Sequence, residues 1–290
     1  MENRRDFIKK AALASGAICA AAAITPGMAH PLKKIANKLD RVGIITNTVK
    51  AEMEENYKAA LKALADIGYK CLESGVKGDS PEEYKKFIKS LGFTTCAIGG
   101  GTGKLLEDPS ETIKTAELLE APYIVTYWPW MSSAENLQME EVMKAADYLN
   151  KIGKNIKEAG FKFAWHNHDK EFRTMENGRL PFDVLMENTD PATVTVELDW
   201  YWVVKGGYNP VDYFKKYPGR FELAHVKDMN NNRDGGITCV GNGIMDFTDI
   251  FKHADQGGVQ FYIVENERAV KGMKCARESY NHIASVLKSL

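Results

Sequence analysis

Charge of one sign is missing from this 290-residue chain: 38 Lys and Arg stand against 39 Asp and Glu, a formal net charge of -1. Without a basic excess there is no field to hold a polyanion. The aromatic residues interleave with acids and glycine instead of lysine or arginine stripes, so no nucleic-acid platform is expected. Cysteine is sparse. Beyond Cys19, Cys71, Cys96, Cys239 and Cys275 form no close-spaced pair, which leaves zinc motifs of the two-cysteine type unsupported. Cys71 and Cys96 sit inside apolar strand-like runs, where a small buried thiol is the expected role. No apolar run is long and continuous enough for a stable membrane span. After residue 40 there is no repeat, low-complexity linker or composition break, so a single domain is expected over 36–290.

What is present starts with a leader. Arg4 and Arg5 open a basic segment, and an Ala-rich, uncharged stretch follows over 11–24. That order fits an export signal of the twin-arginine type over residues 1–30 and predicts a periplasmic protein.

From residue 41 onward, short β-rich runs alternate with longer amphipathic ones. The spacing predicts strands over 41–46, 70–74, 94–98, 123–127, 161–166, 193–199, 221–227 and 260–265. Helical patterns fill 52–67, 81–91, 111–119, 139–159, 181–187, 210–217, 247–254 and 271–290. Ser80-Pro81 and Asn209-Pro210 place a cap and a first-turn proline at two helix starts, and Gly68 and Gly160 stand between a helix and the next strand. Eight strand–helix pairs of this length predict an α/β fold, a closed (β/α)8 TIM barrel.

In such a barrel the C-terminal strand ends share one rim, where chemistry is sought first. Trp165-His166-Asn167-His168-Asp169-Lys170-Glu171 leaves the fifth strand, and residues two apart on a strand point the same way, so His166 and His168 face one place. Glu197 and Asp199 share a side on the sixth strand, as do His225 and Lys227 on the seventh. The other strand ends offer Asn47, Glu73, Tyr127 and Glu265, and Asp228 follows Lys227. Imidazoles and carboxylates on neighbouring strands suit a divalent cation such as Mn, Co, Zn or Mg, with His166, Asp199, His225 and Glu265 as ligands. The plainer roles are capping for Asp199 or Glu265, a lysine partnership for Glu73, and neutralisation of Asp228 by Lys227. Trp200, Tyr201 and Trp202 serve equally as packing or as a platform for a sugar ring. Gly99 to Gly103 lacks phosphate-loop spacing and reads as a mobile loop.

These motifs, taken with Gly241-Asn242-Gly243, Asp246-Phe247 and Val264-Glu265, resemble the xylose isomerase-like barrels, the sugar phosphate isomerases and epimerases. The similarity runs from about Arg41 to the C-terminus. It implies a divalent ion held by Glu, Asp, His and Glu on strands five to eight. Asp199, His225 and Glu265 match the last three, whereas His166 stands where many members carry glutamate, which leaves two arrangements open: His166 on the ion with His168 moving protons, or the reverse. Trp202 stands where several ketose epimerases carry a substrate-binding histidine.

The expected activity is metal-dependent removal of a proton beside a carbonyl, through an enediolate, on a non-phosphorylated sugar or sugar derivative. His168 and Glu73 are the expected base and acid, and Lys227 steadies oxyanion charge. Tyr127, Asn167, Glu171 and Trp202 are candidate substrate contacts. Returning the proton gives epimerisation or isomerisation. Loss of a β-substituent, for instance from a 3-keto-glycoside, would make the enzyme a lyase. A metal-stabilised carbohydrate-binding protein without turnover is a reading of a different class. A phosphodiesterase would require more ligands and a basic groove, and neither is found. The partner is a small-molecule carbohydrate, and homo-oligomer formation is left open.

Overall fold

Residues 37–78, 80–131 and 136–290 are described by a computed structural model. The export-signal reading over 1–30 lies outside them. Among the described residues no helix is long and apolar enough to cross a membrane.

Eight strands form the centre: β1 (Val42–Ile45), β2 (Cys71–Glu73), β3 (Thr94–Gly99), β4 (Tyr123–Thr126), β5 (Lys162–His166), β6 (Val194–Asp199), β7 (Leu223–Val226) and β8 (Phe261–Val264). Each pairs in parallel with its neighbours in sequence, and Val42 to Ile44 register with Tyr262 to Val264 to close the barrel. Helices Lys50–Ile67, Pro81–Ser90, Ser110–Leu119, Met139–Glu158, Pro181–Asn188, Pro210–Lys216, Phe247–Gly257 and Gly272–Ser289 return the chain between strands and cover the outside. The expected alternation is therefore present, with the element ends shifted by a few residues.

Local chemistry explains where helices begin and end. Ser80 Oγ accepts from Glu83 N at 3.3 Å and Asn209 Oδ1 from Val211 N at 3.0 Å, each satisfying a first-turn N–H that the helix cannot. Gly68 ends the first long helix at φ 125°, and a Cβ there would meet the Tyr280 ring at 2.6 Å. Only glycine combines that dihedral with that approach.

Alternation along the strands builds two apolar layers. The outward residues, such as Val194, Val196 and Leu198 of β6, join the large core beneath the helices. Trp200, fully buried there, has its ring 5.2 Å from that of Phe251, and its truncation to alanine would cost about 3–5 kcal/mol. The inward residues Cys71, Cys96, Tyr123, Val125, Ala164, Leu223, Phe261 and Ile263 fill the barrel itself. Cys71 and Cys96 are thus buried free thiols. Above this plug the inward positions turn ionisable: Leu223 gives way to His225, Ala164 to His166, Ile263 to Glu265 and Cys71 to Glu73. The apolar plug supports the site from below.

Three features depart from the sequence reading. Two short helices, Thr102–Glu107 and Trp200–Lys205, follow β3 and β6. The glycine-rich stretch expected as a mobile loop is the end of β3 running into the first of these helices. Gly99 lets Tyr127 pass, since a Cβ there would stand 2.5 Å from its ring, and Thr102 Oγ1 donates to the Trp128 carbonyl at 2.6 Å. Finally, Cys239 and Cys275 form a disulfide that ties the segment after β7 to the last helix.

Candidate active site

Register brings the ionisable residues to one level. His166 lies opposite Glu197 across β5 and β6, and Asp199 opposite His225 across β6 and β7. His166 Nδ1 is 3.1 Å from Glu197 Oε2, and its Nε2 is 3.6 Å from Asp199 Oδ2. His225 is enclosed by acids. Its Nδ1 lies 2.9 Å from Glu265 Oε2, and its Nε2 lies 3.0 Å from Glu73 Oε2 and 3.2 Å from Glu197 Oε2. Lys227 Nζ bridges Asp199 at 3.0 Å, Glu265 at 2.6 Å and Glu267 at 3.1 Å. It does not neutralise Asp228, whose carboxylate accepts backbone N–H groups from Met229, Gly241, Gly243 and Met245 and so anchors the loop after β7.

The ligand atoms of His166, Asp199, His225 and Glu265 all lie within 4.8 Å of one another, and all four residues are buried. Metal–ligand bonds of about 2.0–2.2 Å hold ligand atoms roughly 3–4.4 Å apart, so small side-chain adjustments suffice. A second grouping, Glu73, Glu197 and His225, shares the histidine.

Charge balance points the same way. Glu73, Glu197, Asp199 and Glu265 are buried carboxylates in one cluster, and Lys227 is the buried ammonium among them. Glu197 Oε1 is buried without a hydrogen-bond partner, and Asp199 Oδ2 is buried with only the Lys227 ammonium, at 3.0 Å, and His166 Nε2, at 3.6 Å, beside it. Burial raises the Asp199 carboxyl to about 6 against the pull of Lys227 and His225. Burial and then repulsion from Glu73 push Glu197 well up. Glu265 moves the other way: burial is outweighed by Lys227 and His225, which hold it far below the usual carboxylate range. His225 is held well above the usual imidazole range, because Glu197, Glu73 and Glu265 outweigh its burial. His166 is kept neutral by burial and by repulsion from His225, His168 and Lys227. A neutral imidazole beside carboxylates with unused lone pairs is a donor set that fits a divalent cation.

His168 lies at the wall of this cluster. Its ring centroid is 4.9 Å from that of His166, 5.3 Å from Trp128 and 5.7 Å from Trp202. Burial, reinforced by Lys227, lowers its pKa to about 4, so the ring is neutral at neutral pH, and its Nδ1 is buried without a partner. Tyr127 donates its hydroxyl to Glu73 Oε1. Burial and then Glu73 push that hydroxyl well up, so it stays protonated. Tyr127, His166, His168, Lys227 and Glu265 line a cavity of about 330 Å³ that opens beside Asn47 and Glu267.

Two expected substrate contacts are instead supports. Asn167 is wholly buried and clamps β5 to β6, its Oδ1 accepting from Asp199 N at 2.9 Å. Glu171 is wholly buried as well, accepting from Trp130 Nε1 at 2.8 Å and from His168 N at 2.9 Å. It holds the backbone that aims His168. The remaining two fit a role at the cavity: Tyr127 lines it, and half-buried Trp202 faces His168 with Lys227 Nζ 5.7 Å from its ring. The aromatic trio divides, with Trp200 in the outer core, Tyr201 donating to the Gly235 carbonyl, and Trp202 at the site. Asp199 also caps the short helix after β6, accepting from Trp202 N at 3.1 Å through Oδ1. Its other oxygen, Oδ2, faces the cluster, 3.0 Å from Lys227 Nζ.

The sequence reading gives Glu197 no role beyond sharing a side with Asp199 and does not single out Glu267 or Trp128, yet all three join the site. Glu197, one layer below Asp199 on the same side, contacts both cluster histidines. Glu267 is two residues beyond Glu265, the same spacing, and pairs with Lys227. Trp128, 38% exposed beside His168, carries no sequence signal except its place after Tyr127.

Comparison with known proteins agrees with this geometry. An inosose dehydratase of Clostridium botulinum (strain Alaska E43 / Type E3) is 32% identical over 237 residues, which cover 69% of this chain and 78% of that protein. Among solved structures, a sugar phosphate isomerase/epimerase from Parabacteroides distasonis ATCC 8503 superposes with a TM-score of 0.72 at 24% identity, covering 87% of this chain and 97% of that one. The IOLI protein, solved with a bound zinc atom, superposes with a TM-score of 0.68 at 15% identity over 86% of this chain and 98% of that one. Residues 61–288 match the family model for the xylose isomerase-like TIM barrel. The chain therefore belongs to the xylose isomerase-like TIM barrel family, as a sugar-modifying enzyme.

Proposed function

We propose that the protein is a divalent-metal-dependent lyase that removes a proton beside the carbonyl of a non-phosphorylated sugar derivative and expels a substituent from the β-carbon. The observation that carries the proposal is the meeting of His166, Asp199, His225 and Glu265 beneath a cavity whose wall holds the His168 imidazole. Those four residues would hold the divalent ion, which when bound would supply Lewis acidity for enolate formation. His168, which lines the cavity, accepts the proton on its imidazole, its backbone held by the Glu171 carboxylate. Lys227, fixed by three carboxylates, offers positive charge beside the forming oxyanion. Tyr127, hydrogen-bonded to Glu73, delivers a proton to the departing oxygen. The dehydratase name of the relative at 32% identity supports elimination over simple proton return.

Isomerisation or epimerisation is the second reading. It is favoured by the presence of two proton-handling centres, His168 on the β5 side and Glu73 on the β2 side, which could serve opposite faces of a sugar. Incubating the Mn-loaded protein with keto-sugars and glycosides in deuterated water separates these readings. A released β-substituent supports the lyase. Deuterium entering carbon without release supports the epimerase or isomerase, and sugar binding with neither leaves a carbohydrate-binding protein.

Export is proposed on the twin-arginine pattern at Arg4 and Arg5. The Cys239–Cys275 disulfide supports it, since such bonds persist in oxidising compartments such as the bacterial periplasm.

A further inference from the structure

A second cavity, of about 610 Å³, opens at the ends of β1, β2 and β3. It shares Ile45, Asn47 and Tyr127 with the cavity over the ionisable cluster, so the two adjoin along one wall. Glu73 lines the second cavity, while its Oε2 reaches His225 in the cluster and its Oε1 accepts the Tyr127 hydroxyl. The Tyr127–Glu73 pair therefore stands on the boundary between the two spaces.

Elimination of water would need no such space. A water molecule takes about 30 Å³, and pockets that bury small organic ligands run to about 300–1,000 Å³. The outer cavity is nearly twice the size of the inner one. Its surface also suits a polyol: Met53 and Tyr57 give an apolar face, and Asn47, Lys50, Glu54 and Lys77 give donors and acceptors of both signs. Charge of both signs does not select a strongly anionic group.

We infer that the outer cavity is a subsite for the leaving group, and that the substrate is a two-part glycoside whose carbonyl-bearing ring occupies the inner cavity and whose sugar-sized aglycone occupies the outer one. The inference rests on the elimination proposed above and adds the identity of what is expelled. In a 3-keto-glucoside, His168 takes the proton from C2, a C1–C2 double bond forms, and the C1–O bond to the aglycone breaks. The departing oxygen takes a proton from Tyr127, which is at the boundary where that bond would lie, and the proton held by His168 is released to solvent while solvent returns one to the Tyr127 oxygen, so both groups regain their starting states. The products are an unsaturated 3-keto sugar and the free aglycone alcohol, with no net oxidation.

The test compares two 3-keto-glucosides with leaving groups of similar acidity and different size, glucose and trifluoroethanol, on the Mn-loaded full chain. The expected result is a kcat/KM for the glucosyl compound about 100-fold above that for the trifluoroethyl compound, because binding energy from a remote ring lowers the barrier at the reacting one. Gly75 lines the outer cavity, and a Cβ added there meets open space. Gly75→Trp should fill the subsite and bring that preference to within about threefold, mainly through the glucosyl compound. Lys77→Ala, an exposed change, should cut it by about tenfold through KM and serves if the tryptophan variant folds poorly. Equal kcat/KM for the two compounds in the unaltered protein, or equal losses on both in the variants, overturns the subsite and leaves elimination standing. No release from either compound overturns the elimination and the subsite together.

Discussion

The two halves of the barrel rim are unlike. From β5 to β8 every strand end contributes buried ionisable groups: His166, Asp199, His225 with Lys227, and Glu265. From β1 to β4 the ends are Ile45, Glu73, Gly99 and Tyr127, with glycine and small polar residues beside them and an open cavity above. One half concentrates charge and the other leaves room. The division follows from cost: gathering buried carboxylates is tolerated only where cations neutralise them, so apart from Glu73, which reaches across to His225, the buried charge gathers on the β5–β8 side and the opposite arc is left to be shaped for a ligand.

The comparison is sharpest if the charged half is disrupted first. His225→Ala removes the imidazole that touches Glu73, Glu197 and Glu265. It should lower turnover by about 10,000-fold and abolish metal retention, read by steady-state kinetics and metal analysis. His168→Gln should lower turnover by roughly 100- to 10,000-fold while the protein keeps its ion, which separates proton abstraction from ligation within one half. A protein that loses both together would merge the two roles.

Changes on the open half should be milder and should depend on the leaving group. Tyr127→Phe removes the hydroxyl from Glu73 and should slow release of a sugar alcohol by about 10- to 100-fold. A nitrophenol, which leaves without help from an acid, should be spared, and a uniform loss on both leaving groups would place Tyr127 in the charged half's work instead. The smallest effect on activity is expected far from both. Cys239→Ser opens the disulfide to Cys275 and should lower stability by about 2–4 kcal/mol in denaturant titration, with turnover at low temperature unchanged.

Much of this was legible in the sequence because the barrel repeats one rule. Inward residues alternate, so Ala164-x-His166-x-His168 and Leu223-x-His225-x-Lys227 announce an apolar plug with ionisable groups above it. The same rule extended one step down finds Glu197, and one step up finds Glu267. What alternation cannot give is the partner of a loop residue. Glu171 looked free for substrate because nothing local reveals Trp130, 41 residues upstream, donating to it. Asn167 is fixed by the β6 backbone, which reaches it only after the strands pair. Cys239 and Cys275, 36 residues apart in sequence, meet only when the last helix packs against the loop after β7. The six-residue helix at Trp200–Lys205 was hidden because Asp199 serves both as its cap and as a member of the cluster.

The most direct test of the account is equilibrium dialysis of the chelator-stripped full chain against Mn and Zn, beside the Asp199→Asn and Glu265→Gln double variant. The account predicts one tightly held ion per chain in the unaltered protein and at least about 100-fold weaker retention in the variant, since two of the four ligand groups lose their charge. Equal retention in both, or none in either, would contradict it.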